Sequence, residues 1–159
     1  MVVNDLAQQL LSKDPEKRRT SAETLANFAL TDASLLRGSG VIDMLAKQLV
    51  DDEYYRVRTA IANMFKYVCF FDPSQLKQSH AVESLTEALK GDKVGVVRRR
   101  AAEALANLAL KDPSQLVSGQ GANVVVDALQ KDEDDTVRIG AVQTLQHLVK
   151  NAPHQLEGT

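Results

Sequence analysis

Residues 97–116 read VRRRAAEALANLALKDPSQL, and forty residues earlier, over 57–76, the chain reads VRTAIANMFKYVCFFDPSQL. Forty residues later, over 137–156, the frame returns as VRIGAVQTLQHLVKNAPHQL. Val57-Arg58, Val97-Arg98 and Val137-Arg138 open the copies. Phe65, Leu105 and Leu145 share one apolar position, and Val68, Leu108 and Leu148 share another. Pro73, Pro113 and Pro153 precede Gln75-Leu76, Gln115-Leu116 and Gln155-Leu156. Self-similarity at a fixed period is the signature of a repeat array, in which each unit buries its apolar face only against its neighbours.

Working outward, an earlier copy is carried by Arg18, Ala22, Leu25, Phe28 and Leu36. Its first helix, with Leu6 and Leu10, runs one residue out of phase, as a one-residue loop deletion would leave it. The units are 1–40, 41–80, 81–120 and 121–159, forming one repeat domain with no separate linker. Ile42, Leu45 and Leu49, like Val82, Leu85 and Leu89, fall at helical spacing and predict a first helix of about ten residues. An acidic break follows at Asp51-Asp52-Glu53, Gly91-Asp92-Lys93 and Asp132 to Asp135. Val97, Ala101, Leu105 and Leu108 then predict a longer helix of about fourteen. Asp72-Pro73 and Asp112-Pro113 supply a capping carboxylate and a proline for the first position of a short third helix. Gly38, Gly40, Gly119 and Gly121 sit where that helix turns into the next unit, a place where positive φ is favoured.

Composition agrees. Aromatic residues make up 4% of the 159, with no Trp and four Pro, which favours helix over strand. Nineteen basic residues face twenty-one acidic ones, so no global field draws the chain to nucleic acid or anionic membrane. By unit, five basic residues meet five acidic in the first and second, six meet five in the third, and three meet six in the fourth. No long basic stripe results. The single cysteine, Cys69, forms no internal disulfide and fits a reducing intracellular compartment, cytoplasm or nucleus. The longest apolar runs, Tyr67 to Phe71 and Val124 to Val126, fall well short of the roughly 20 residues a membrane span needs.

The string Ala104-Leu105-Ala106-Asn107-Leu108-Ala109, followed by Asp112-Pro113-Ser114-Gln115-Leu116 and Gly119 to Val125, resembles the armadillo repeat, as does Thr24-Leu25-Ala26-Asn27-Phe28-Ala29. The Val-Arg pairs with a preceding Asp also resemble the related HEAT repeat. The resemblance implies an all-α fold, a right-handed alpha-alpha superhelix of four repeats. It implies too that the long helices line a concave groove in which an extended peptide is held by a ladder of asparagines. Asn27 and Asn107 match that asparagine position; Tyr67 and His147 stand there in the other units. The family's groove tryptophan, four residues earlier, is replaced by Glu23, Asn63, Glu103 and Gln143.

Glu23/Asn27, Asn63/Tyr67, Glu103/Asn107 and Gln143/His147 are i, i+4 pairs and so share one helical face. An amide both donates and accepts, so Asn27 and Asn107 suit a peptide backbone of any sequence, while Glu23 and Glu103 favour basic side chains. With Arg100 they form the candidate peptide-binding groove; the competing reading makes them ordinary solvated residues. Lys17-Arg18-Arg19, Arg56, Arg58, Arg98-Arg99-Arg100 and Arg138 crowd the starts of the long helices, where the macrodipole disfavours cations. A structural ladder of Asp52, Arg58, Asp92, Arg98, Asp132 and Arg138 linking adjacent repeats accounts for them. Phosphate or nucleic-acid binding through Arg19, Arg56, Arg99 and Arg100 is the alternative.

His80, His147 and His154 lack zinc-site spacing, and no catalytic motif is present, so neither metal, cofactor nor enzyme activity is expected. Cys69, Met44 and Met64 read as core. Phe71 is expected to reach the surface beside Phe70. Val142, Leu145 and Leu148 are expected to lie open on the last helix unless self-association or a further repeat covers them. The expected function is a protein-interaction scaffold holding an extended or helical segment, with a structural, self-associating part of a larger assembly as another alternative.

Overall fold

The computed structural model describes residues 2–117 and 119–151. Among them the helices are α1 (Val2–Gln9), α2 (Pro15–Asp32), α3 (Val41–Asp51), α4 (Tyr55–Phe71), α5 (Ala81–Gly91), α6 (Gly95–Lys111), α7 (Ser114–Val117), α8 (Gly121–Lys131) and α9 (Asp135–Asn151). Turns of 3-10 helix span Ala33–Leu36 and Pro73–Leu76. No strand occurs among the described residues. Pro153, His154, Gln155 and Leu156, which the repeat frame also uses, lie outside the described residues.

The helices form two layers. α2, α4, α6 and α9 stack side by side in that order, α1, α3, α5 and α8 form the second layer, and each long helix packs on the helix before it. The result is an all-α solenoid in which Leu25, Phe65 and Leu105, one from each of the first three units, are fully buried along a continuous core.

The long helices run 17 residues in α4, α6 and α9 and 18 in α2, beyond the length that the apolar period alone suggests. The extra turn comes from the acidic break. Asp52, Asp92 and Asp132 each accept a hydrogen bond at Oδ1 from the backbone N–H two residues on, at 2.9 Å from Tyr54, Val94 and Asp134. Each carboxylate thereby folds its loop so that the next helix starts two residues before the Val-Arg pair.

Three sequence expectations change. The Asp72 carboxylate caps no backbone N–H of the turn it precedes. It accepts instead from Ser74 Oγ and Gln75 Nε2, both at 2.9 Å, and from the Arg37 guanidinium of the preceding repeat, whose Nε lies at 2.7 Å. Asp112 repeats part of this, accepting from Ser114 Oγ at 2.7 Å and Gln115 Nε2 at 3.0 Å, with Lys77 Nζ at 3.8 Å. Gly38 and Gly40 do adopt φ of +71°, but Gly121 opens α8 for a different reason: an added Cβ would lie 3.0 Å from the Leu116 carbonyl oxygen. Finally, Leu148 is fully buried, because its register, shared with Val68 and Leu108, faces the core, and Leu145 is half-buried; Val142 is exposed as expected, together with Ile139 and Val149.

Candidate binding face on the long helices

Arginine and aspartate fasten one repeat to the next. Arg18 donates to Asp52 at 2.8 and 3.1 Å, Arg58 to Asp92 at 2.7 and 3.1 Å, and Arg98 to Asp132 at 2.9 and 3.2 Å. Both oxygens of each carboxylate are engaged, the geometry that suits a guanidinium fork. Each Arg Nη1 also donates to a carbonyl of its own loop, Ser12 at 2.9 Å, Asp52 at 2.8 Å and Asp92 at 2.9 Å. Burial pushes the Asp52 carboxyl up, but Arg18, the Tyr54 N–H and Gln48 outweigh it and hold the group below its ordinary range. Arg138 reaches the Asp132 carbonyl at 2.7 Å and pairs with Asp135 of its own helix, so no rung leaves the fourth unit among the described residues. Gln75 and Gln115 add a second cross-link, donating from Nε2 to the carbonyls of Ala33 at 2.6 Å and Pro73 at 2.9 Å.

The residues of the candidate groove lie on the opposite side of the long helices from the short-helix layer. Glu23, Asn27 and Gln143 are exposed; Asn63, Tyr67, Arg100, Glu103, Asn107 and His147 are half-buried. Tyr67 rests partly on the core. Asn107 spends one amide hydrogen on the Lys66 carbonyl of the neighbouring helix at 3.0 Å, which fixes its side chain and leaves its oxygen and second hydrogen for a ligand. The glutamates are already matched. Glu23 accepts from Arg19 at 2.6 Å, and Glu103 accepts from Arg100 at 3.0 Å with Lys66 Nζ at 3.4 Å. A face built this way is a mixed-charge network, not an acidic trough.

The sequence pattern underrated the edge of this face. Leu30, Phe70 and Leu110 stand three residues after Asn27, Tyr67 and Asn107, hence on the same helical face. They are 47%, 38% and 40% exposed. Phe71 is also exposed and packs edge-on against Phe70, and Lys111 Nζ lies 4.3 Å from the Phe70 ring centroid. The signal was present: an apolar residue recurs at the i+7 place of an otherwise polar stripe. The long helices therefore present two parallel rows, one of amides and charges and one of apolar side chains.

Of the arginines considered for phosphate, Arg19 is held by Glu16 at 2.8 Å and by Glu23, and Arg100 by Glu103. Arg56 donates to the Tyr55 hydroxyl at 3.4 Å, and Arg99 carries a buried Nε without a hydrogen-bond partner among the described residues. Cys69 is fully buried, and that burial pushes its thiol pKa well up, away from nucleophilic thiolate. Among the described residues no group of three metal-ligating side chains converges, and no helix is long and apolar enough to cross a membrane.

A family model for HEAT repeats matches residues 3–106. Among solved structures, an engineered protein is 26% identical with a TM-score of 0.80 over 92% of this chain, and a second engineered protein is 24% identical with a TM-score of 0.81 over 96%. The chain spans 62% and 66% of these two. A designed armadillo repeat protein in complex with the peptide (KR)4 superposes with a TM-score of 0.84 at 21% identity, over 98% of this chain and 67% of its own. No curated protein matches the sequence.

Proposed function

The chain belongs to the HEAT-repeat family, and from that premise and the two rows on its long helices we propose that it is a scaffold that holds an extended polypeptide segment. The segment lies across α2, α4, α6 and α9. Its backbone exchanges hydrogen bonds with Asn27, Asn63, Asn107 and Gln143, and its apolar side chains settle on Leu30, Phe70 and Leu110. The observation that carries this reading is the apolar row itself: three equivalent large side chains held open on a face whose other positions are polar. An amide row gives affinity without sequence preference, and the apolar row adds selectivity for segments with large side chains at regular spacing. The designed relative binds an alternating Lys-Arg peptide. Here Glu23 and Glu103 are already paired with Arg19, Arg100 and Lys66, so a preference for highly basic segments is not expected.

Panning the protein against a phage-displayed library of random peptides about 12 residues long tests the proposal. Selected peptides are expected to be rich in large apolar residues, and Phe70→Ala or Asn107→Ala should weaken them about tenfold each, the loss of one good apolar or hydrogen-bonding contact. Peptides that bind both variants as tightly as the parent would refute it.

A further inference from the structure

The charges of the candidate face are divided unevenly between its helices. On α2 one cation stands between two carboxylates, Arg19 being bonded to Glu16 at 2.8 Å and to Glu23 at 2.6 Å. On α4 and α6 the ratio reverses. Arg100 Nη1 and Lys66 Nζ reach the same oxygen of Glu103, at 3.0 and 3.4 Å. Arg99 stands where α2 has Arg19, but the two partners of that position have gone. Val96 replaces Glu16, and Glu103, four residues on, is already shared. Among the described residues Arg99 pairs with no carboxylate, and its buried Nε finds no hydrogen-bond partner. Lys111, eight residues beyond Glu103 and so on the same side of α6, has no carboxylate partner there either; its Nζ lies 4.3 Å from the Phe70 ring centroid. Four cations thus share this stretch of the face with one carboxylate.

Their donors are largely unspent. A guanidinium carries five N–H groups and an ammonium three, and Asn107 keeps a second amide hydrogen after its bond to the Lys66 carbonyl. Lys66, Arg99, Arg100 and Asn107 are half-buried, so a carboxylate arriving among them feels a lower dielectric than open water offers. Phe70 and Leu110 stand open beside them, so the group that fits is an acidic residue within an apolar stretch. A nucleic-acid strand fits less well. It carries a phosphate at every residue and would run from these cations over Glu16 and Glu23 of α2, on a chain whose formal charge is −2. The Phe70 ring, where a base would stack, is already met by Phe71 and Lys111.

Given the segment-holding role proposed above, on which this rests, we infer that the segment is acidic: an Asp or Glu among its apolar residues seats over α4 and α6, against Lys66, Arg99, Arg100 and Lys111.

The peptides selected by phage display test this. Their sequences are expected to hold more Asp and Glu than Lys and Arg. A selected peptide resynthesised with its acidic residue changed to the matching amide should bind about tenfold more weakly by fluorescence anisotropy. Lys66→Gln combined with Lys111→Gln should weaken the acidic peptide by about the same factor and leave the affinity of the amide peptide unchanged. The Lys66 carbonyl remains for Asn107 in that variant, so its circular dichroism should match the parent. Peptides that loosen with Phe70→Ala but not with the amide exchange overturn the acidic preference alone and leave the segment-holding role standing. Peptides indifferent to both Phe70→Ala and Asn107→Ala remove that role and the preference with it. An oligothymidylate of about 20 residues that binds more tightly than the acidic peptide, and loosens in the lysine variant, overturns the choice of a polypeptide.

Discussion

Alanine for glycine inside a helix normally stabilises, by about 1 kcal/mol, because glycine loses more backbone freedom on folding. Gly140 in α9 should reverse that sign. A Cβ built there lies 2.8 Å from the Ala102 Cβ and 3.6 Å from the Ala102 carbonyl carbon. Carbon atoms rest at about 3.5–4.0 Å, so α9 has to move away from α6 by about 1 Å. Neither methyl can rotate aside, since both are bonded directly to helical backbone. Overpacking of this kind costs about 1–3 kcal/mol. Set against the propensity gain, the net expectation is a loss of about 1 kcal/mol, or about 2–4 °C in Tm for a chain of this size. Gly91, which closes α5 with nothing within 4 Å of a built Cβ, is the control, and Gly91→Ala should raise stability by about 0.5–1 kcal/mol. Ala102→Gly in the Gly140→Ala background should recover part of the loss, giving a coupling that neither single change predicts. Urea unfolding followed by circular dichroism reads the parent, Gly140→Ala, Ala102→Gly, their combination and Gly91→Ala. Gly140→Ala stabilising the protein as much as Gly91→Ala would show that α6 and α9 do not meet at this distance.

Arg98→Ala should cost about 3 kcal/mol in the same assay, because it strands Asp132, whose side chain is 8% exposed. Arg138→Ala, whose pair is local and open, should cost less than about 1 kcal/mol. Burial alone would raise Asp52, but Arg18 and the other donors hold its pKa below the unfolded value of 3.8. Its contribution is therefore complete above about pH 4 and lost as pH falls through 3.8 toward the depressed value, so Tm should drop steadily below about pH 4, and less steeply in Asp52→Asn. Leu105→Ala, at a fully buried position, should cost about 2–5 kcal/mol in urea unfolding, whereas Phe70→Ala, on the open face, should leave stability within about 0.5 kcal/mol.

The repeat and its helices were legible because burial leaves periodic apolar marks, and Leu25, Phe65 and Leu105 are as buried as their spacing demands. The arginine rungs were legible in kind, since cations at helix starts need anions. Their register was not, because a pairing across 34 residues depends on how far each helix is set beside the next. Asp72 shows the same limit. Local spacing makes it a helix cap, while the folded stack brings Arg37 near enough to take it. On the candidate face, the places of Asn27 and Asn107 on the long helices could be read from their position. The Asn107 bond to the Lys66 carbonyl and the neutralisation of Glu103 could not, for both require a neighbouring helix. Leu148 and Val149 differ by one step of 100° about the helix axis, and only the packed structure decides which of them faces inward.

The two rows along the long helices carry the proposed binding. Titrating isotopically labelled protein with one of the library-selected peptides and following its amide and methyl resonances tests it most directly. The side-chain amides of Asn27, Asn63 and Asn107 and the methyls of Leu30 and Leu110 are expected to shift together and saturate at one concentration. Shifts confined to the other layer, around Gln48 of α3 or Asn123 of α8, with those five residues unmoved, would contradict it.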